Sequence, residues 1–263
     1  MKIFASALEG VSINYNGKKF YLSQYLVEHD VNLQWNLLSY YYLRNHLDNA
    51  TFIMDNSREI LIDSGAHSFQ FGKKVSWVEY TQQYAEFIAK YDKLNIVGYF
   101  EMDIENIIGY DKVLQLREIL ESASDKIIPV WHPIRGIKDY EQMCQRYRGK
   151  VIAIGGFRNT DIRDEQFPMF VKVARKYNCR VHCLGMSRQE IISKVPFDYC
   201  DSATWLTATN MGNMFVNGIR QSNKYKFPKA KSMDKFDQYM WNYREFIKYQ
   251  NRWYYYWRNE CRD

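Results

Sequence analysis

Asp63, Asp103, His132 and Asp201 each stand at or just past the end of a short apolar run. The runs are Ile60-Leu61-Ile62-Asp63-Ser64-Gly65, Ile96-Val97-Gly98-Tyr99-Phe100-Glu101-Met102-Asp103, Ile127-Ile128-Pro129-Val130-Trp131-His132 and Phe197-Asp198-Tyr199-Cys200-Asp201. A polar group at the carboxyl end of a parallel strand points into the crevice where α/β proteins keep their chemistry. Carboxylates and an imidazole gathered there can move protons, and a carboxylate can form a covalent bond to an electron-poor carbon. Asp63 and Ser64 taken alone would equally cap a helix or open a turn. The recurrence of the pattern argues for the first reading.

Two further apolar runs close on small residues, Val151-Ile152-Ala153-Ile154-Gly155-Gly156 and Arg180-Val181-His182-Cys183-Leu184-Gly185. Segments with helical apolar spacing lie between the runs. Strands ending in polar or glycine residues and separated by amphipathic helices predict an α/β chain, a (β/α)8 TIM barrel with one functional rim. The length of 263 residues suits a single barrel over residues 1–220, followed by a basic, aromatic loop and helix over 221–263. A first strand is expected at Lys2 to Ser6, a hairpin turn at Asn16-Gly17, a helix from Asn32 to His46 and a turn over residues 55–58. Ser76 and Ser187, each three residues before a glutamate, read as capping boxes.

The chain carries 36 Lys+Arg against 30 Asp+Glu, a net charge of +6 that is compatible with a polyanionic partner. No secretory leader and no run of about 18 apolar residues is present, so a soluble, cytoplasmic protein without membrane contact is expected. Cys144, Cys179, Cys183, Cys200 and Cys261 are odd in number and irregularly spaced, as in a reduced compartment. Cys179 and Cys183 have no second ligand pair, and a metal site is not expected. The tail interleaves Tyr and Trp with Lys and Arg, which suits bases and phosphates together. Lys224, Lys226, Lys229 and Lys231, with Arg158, Arg163 and Arg188 near the rim, are the candidate nucleic-acid contacts. The same helix can instead lay a Phe236, Met240, Tyr243, Ile247 stripe on the barrel, and opposite faces can do both.

The ordered series Asp63-Ser64-Gly65 to Phe69-Gln70, Met102-Asp103, Ile154-Gly155-Gly156, His182-Cys183-Leu184-Gly185 and Phe197 to Asp201 resembles the motifs of the tRNA-guanine transglycosylases, over roughly residues 60–205. Those enzymes are (β/α)8 barrels that exchange guanine for a 7-deazaguanine base. The resemblance implies Asp201 as nucleophile, Asp63 as general acid/base and Asp103 as the reader of the guanine edge. It places Gly155 and Gly156 where the backbone meets the base, and Ser64, Phe69 and Gln70 around the pocket. It sets His132 where the family has a glutamine, and Leu184 near an apolar residue that stacks on the base. It implies neither a metal nor a redox cofactor in the reaction.

Three departures refine this. Ala66, His67 and Ser68 intervene between Gly65 and Phe69 where the family has a single glycine, and both the zinc-binding cysteine cluster and the insertion that carries it are missing. A compact, zinc-free, basic and aromatic chain is similar to the branch of the superfamily that inserts 7-deazaguanines into DNA, especially its bacteriophage members. The expectation is therefore a DNA-guanine transglycosylase, a pentosyltransferase with DNA and a 7-deazaguanine base as its substrates. The same exchange on tRNA and a non-catalytic nucleic-acid-binding barrel are the alternatives, and a partner protein is left open. A glycoside hydrolase would also use paired carboxylates, but gives Asp103 and the paired glycines no purpose.

Overall fold

Period-two alternation along the strands decides which side chains meet at the rim. The computed structural model describes residues 1–15, 18–69, 75–155, 162–216, 219–221 and 233–260. The chain opens with β1 (Lys2–Ser6), an antiparallel pair β2 (Ser12–Tyr15) and β3 (Lys18–Tyr21), and α1 (Leu22–Glu28). It continues through β4 (Leu33–Ser39), α2 (Tyr40–Leu43), α3 (Leu47–Asn56), β5 (Ser57–Asp63) and α4 (Trp77–Tyr91). Then come β6 (Ile96–Phe100), α5 (Glu105–Ile108), α6 (Tyr110–Ala123), β7 (Ile127–Ile128), β8 (Val130–Trp131), α7 (Gly136–Arg146) and β9 (Val151–Ile154). The remainder holds α8 (Phe167–Lys176), β10 (Arg180–Cys183), α9 (Gln189–Ile192), β11 (Tyr199–Ser202) and α10 (Thr204–Asn210). A second antiparallel pair, β12 (Met214–Val216) with β13 (Ile219–Gln221), precedes the long α11 (Lys235–Glu260).

Nine strands form one sheet in the order β7-β6-β5-β4-β1-β11-β10-β9-β8, and every ladder in it is parallel. The strands at the two ends of that order, β7 and β8, are separated in the chain by Pro129 alone. The sheet is therefore barrel-like and nearly closed. Proline brings no N–H to a ladder. Beside it the Glu101 carboxylate takes the Val130 N–H at 2.5 Å, while Arg117 holds the same carboxylate at 2.5 Å in an ion pair that is almost wholly buried.

Side chains of a strand point alternately to its two faces. Phe4, Trp35, Leu37, Leu61, Phe100, Ile128, Val130, Val151, Ala153 and Tyr199 form the inner cluster of the sheet. Their strand neighbours Ile3, Ala5, Leu38, Ile60, Ile62, Ile152 and Ile154 belong to the larger cluster that meets the helices. One step of two residues beyond the inner cluster, the same face presents Ser6, Ser39, Asp63, His132, Gly155 and Asp201. Register supports this, with Ser39 opposite Asp63 and Phe4 opposite Asp201.

Helix α11 lays an aromatic face on the sheet, burying Phe236, Tyr239, Tyr243, Phe246, Tyr249 and Trp253. Within the expected stripe, Phe236 and Tyr243 are buried while Met240 and Ile247 are half-buried against the same cluster. Gln250 Nε2 donates to the carbonyls of Ile3 (2.8 Å) and Trp35 (2.9 Å), joining β1 to β4. The direct ladder between those strands registers only Ala5 with Asn36 and Ser6 with Leu37. On the outer side of the helix Trp241, Tyr255 and Tyr256 remain exposed.

Several local expectations are corrected. Residues 32–46 are not one helix but β4 followed by α2, because Leu33, Trp35 and Leu37 alternate towards the interior. The turn over 55–58 is absent, since α3 runs to Asn56 and β5 begins at Ser57. Ser76 precedes α4 without a side-chain capping bond. Helix α9 starts after Arg188, and Ser187 Oγ instead accepts the Ser202 hydroxyl at 3.2 Å. The Asn16-Gly17 turn lies outside the described residues, flanked by β2 and β3.

Candidate active site

Asp201 is the most firmly held group on the rim. Strand β11 places it between β1 and β10, and both neighbours donate to it. Ser6 Oγ donates to Asp201 Oδ2 at 3.1 Å, His182 Nε2 lies 2.9 Å from Oδ1, and the Gly185 N–H donates to Oδ1 at 2.7 Å. The His182 ring is wholly buried and meets Phe100 edge-on, with centroids 4.9 Å apart. Three donors from separate segments fix the plane of the carboxylate. A carboxylate has about four lone-pair sites, so one remains for a substrate atom.

Asp63 differs in kind. Its Oδ2 accepts the Gly65 N–H at 2.9 Å. Burial pushes its carboxyl up to about 7, the Gly65 N–H opposing and the charges of Asp103 and Asp201 reinforcing the shift. The two acids of the rim thus differ in surroundings: Asp201 is gripped by donors, and Asp63 holds its proton close to neutral pH.

Asp103 and His132 form a third element. His132 Nε2 lies 2.5 Å from Asp103 Oδ1, and both side chains keep some exposure, 22% and 28%. Burial works to lower the imidazole, but the Asp103 bond and charge, with Glu105 beyond, raise it above its ordinary value. Gly155 explains how the ring fits. A Cβ there would stand 2.7 Å from His132 Cε1 and 3.2 Å from Val130 Cγ1, so only glycine admits the imidazole.

The other expected site residues distribute unevenly. Leu184 is half-buried against the inner cluster, beside the Asp201 donors. Ser64 is fully buried, its carbonyl accepting the Tyr80 hydroxyl at 2.6 Å. Phe69 is also buried, edge-on to Tyr41, Trp77 and Tyr80. These two shape the β5 loop from behind. Arg163 is exposed just before the turn that leads to α8. Arg188 forms a forked, exposed pair with Asp164 at 2.6 and 3.1 Å. Such surface pairs are worth about 0–1 kcal/mol, so a phosphate can compete for the guanidinium. Gln70, Gly156, Arg158, Lys224, Lys226, Lys229 and Lys231 lie outside the described residues.

Ser6, Glu9 and His182 join the site although the sequence assigned them no role there. Ser6 and His182 carry a readable signal, since each is a polar residue at an inward position of an apolar strand. Glu9 has none. It sits in the loop after β1, almost wholly buried, with Oε1 accepting the Ser39 N–H at 3.0 Å. Burial pushes Glu9 up to about 7, opposed by the Ser39 N–H and reinforced by the charge of Asp63.

Among the described residues no group of three His, Cys, Asp or Glu side chains could hold a metal ion. Cys144, Cys179, Cys183 and Cys200 are free and buried, and no described helix is long and apolar enough to cross a membrane. No protein-family model, no curated protein and no solved structure matches the chain.

Proposed function

We propose that the protein is a base-exchange enzyme, a DNA-guanine transglycosylase that replaces guanine in DNA with a 7-deazaguanine through a covalent aspartyl-sugar intermediate. Its sheet is read as a (β/α)8 barrel in which β7 and β8 are one strand interrupted at Pro129. The observation that supports the reading is the pairing on one rim of a donor-gripped Asp201 with an Asp63 that holds its proton close to neutral pH.

The chemistry follows from that difference. As the bond from C1′ to guanine N9 breaks, positive charge grows on C1′ and an Asp201 oxygen closes onto it, forming an ester. The departing guanine takes a proton from Asp63, which is left as a carboxylate. The incoming 7-deazaguanine gives its N9 proton back to Asp63, its nitrogen attacks C1′, and the ester bond to Asp201 breaks. Asp103, steadied by His132, accepts from N1 and the exocyclic amine of the base, two adjacent donors that suit one carboxylate. Gly155 brings backbone near the ring, a role also assigned to Gly156, and Leu184 gives it an apolar wall.

A guanine within a duplex is enclosed and must leave the stack, which costs a few kcal/mol that phosphate and stacking contacts recover. Arg158, Arg163, Arg188 and the lysines of residues 224–231 are the cations assigned to that task, working in the cytoplasm of a bacterial or phage-infected cell. The test is incorporation of radiolabelled guanine into duplex DNA and, separately, into unmodified tRNA. Label in DNA that disappears with Asp201→Asn is the expected result. Label in tRNA alone would move the reaction to RNA, and none in either would leave a missing partner protein or a barrel that only binds nucleic acid.

A further inference from the structure

A cavity of about 240 Å³ opens at the amino ends of β1 and β11, where Lys2 stands opposite Tyr199. Ser6, at the rim, is at the far end of β1, about 13 Å away at roughly 3.3 Å per residue. The cavity therefore lies at the other end of the sheet from Asp201. Lys2, Arg175, Asp198, Tyr254, Trp257 and Arg258 supply its chemistry.

Two rings of the cavity wall are anchored from behind. Tyr254 and Trp257, three residues apart, share one face of α11. Tyr254 is half-buried and tilted against Trp35, with centroids 5.2 Å apart. Trp257 is also half-buried, and its Nε1 donates to the Ile192 carbonyl at 2.8 Å. Such rings stack on any base, because every base has a π-face.

The charges at the cavity do not cancel. Lys2 Nζ donates to both oxygens of Glu59, at 2.5 and 2.7 Å. Arg175 Nη2 lies 3.2 Å from Asp198 Oδ1 and donates to the Pro196 carbonyl at 3.3 Å. Arg258 is exposed and pairs with no carboxylate among the described residues, which leaves the lining net positive. Arg175 is 49% exposed, and a surface pair such as its own with Asp198 yields readily to a phosphate. Asp198 Oδ2 accepts the Val181 N–H at 2.8 Å, so both of its oxygens are already engaged and neither repels an anion unscreened.

We propose that this cavity binds a nucleoside monophosphate, with its base against Tyr254 and Trp257 and its phosphate on Arg258 and Arg175. Guanidinium groups suit phosphate oxygens, and the rings suit a planar base. The volume falls below the range of about 300–1,000 Å³ usual for drug-sized ligands, so it admits one ring system and leaves the phosphate at the mouth. The site is independent of the reaction at the rim and stands whether or not base exchange takes place there.

Calorimetric titration of the intact protein with adenosine 5′-monophosphate, adenosine and inorganic phosphate reads the site. Adenine lacks the adjacent N1–H and 2-amine donors that suit Asp103, which keeps the probe from the rim. The monophosphate is expected to bind once per chain, at least about tenfold more tightly than adenosine or phosphate alone. Arg258→Gln, at an exposed position that leaves the fold intact, should weaken the monophosphate about tenfold and leave adenosine unchanged. Trp257→Leu should weaken both, and Trp257→Phe, which retains a ring, should recover part. Asp103→Asn should change none of these affinities. The proposal is overturned by an absence of monophosphate binding, by phosphate alone binding as tightly, or by binding that survives both Arg258→Gln and Trp257→Leu. Loss with Asp103→Asn alone would put the nucleotide at the rim and overturn it too. Guanine incorporation is a separate measurement, and its failure leaves this site untouched.

Discussion

His182 Nε2 lies 2.9 Å from Asp201 Oδ1, and the imidazole has no solvent-exposed surface. Its other nitrogen, Nδ1, has no partner among the described residues, so Nε2 makes the ring's one hydrogen bond there. His182→Phe removes the donor while filling the space. The expected loss is about 1.5–3 kcal/mol of stability, the worth of a hydrogen bond to a charged group. Urea unfolding measures it, and His182→Gln, which still offers an N–H, should recover part. In the exchange assay the Phe variant should lower the rate about 10- to 100-fold, the kinetic equivalent of about 1.4–2.7 kcal/mol.

The buried acids give stability a pH dependence of definite sign. Asp63 and Glu9 are both raised in the folded protein to about 7. At low pH both are protonated whether folded or not, and they contribute no slope. As pH climbs from the ordinary carboxyl range towards 7 the unfolded chain ionises first, so folding is penalised by up to about 1.4 kcal/mol per pH unit and group. Above 7 the penalty levels off. Urea unfolding of the wild type, Glu9→Gln and Asp63→Asn across that window should show a shallower decline in each variant. Equal slopes in all three would mean that neither acid is raised.

Gly155 and His132 make a second local test. Gly155→Ala places a methyl 2.7 Å from His132 Cε1, and the ring must swing from Asp103 to make room. Because the Asp103 bond and charge raise the imidazole against the pull of burial, the variant should lower the His132 pKa. A 15N-detected titration of the imidazole reads this without any assay of activity, and an unchanged titration would mean that the ring is held by something else.

At the break around Pro129, Arg117 and Glu101 form a buried pair that also secures the Val130 N–H. Removing one partner leaves a buried charge unmatched. Arg117→Leu should cost about 3–5 kcal/mol in urea unfolding. A loss below about 1 kcal/mol would show that solvent reaches the carboxylate.

Asp63, His132, Gly155 and Asp201 were legible because the information is local: an apolar run sets the strand and the residue after it sets the rim. The inward parity of Ser6 was equally local, yet its purpose was not, since its partner Asp201 is 195 positions away. Leu33–Ser39 misled for the opposite reason. Its Leu and Trp content suits a helix as well as a strand, and only pairing with β5 and β1 decides between them.

The alternation of strands and helices and the polar residue that closes each strand follow from local sequence, because hydrophobic period and strand-end chemistry act over a few residues. Tertiary structure alone decided which polar groups touch. Joining β1 to β11 brought Ser6 to Asp201, and joining β4 to β5 set Ser39 beside Asp63. The same packing shut Glu9 away from water, and it is burial, a property of the whole fold, that changes what a carboxyl group can do.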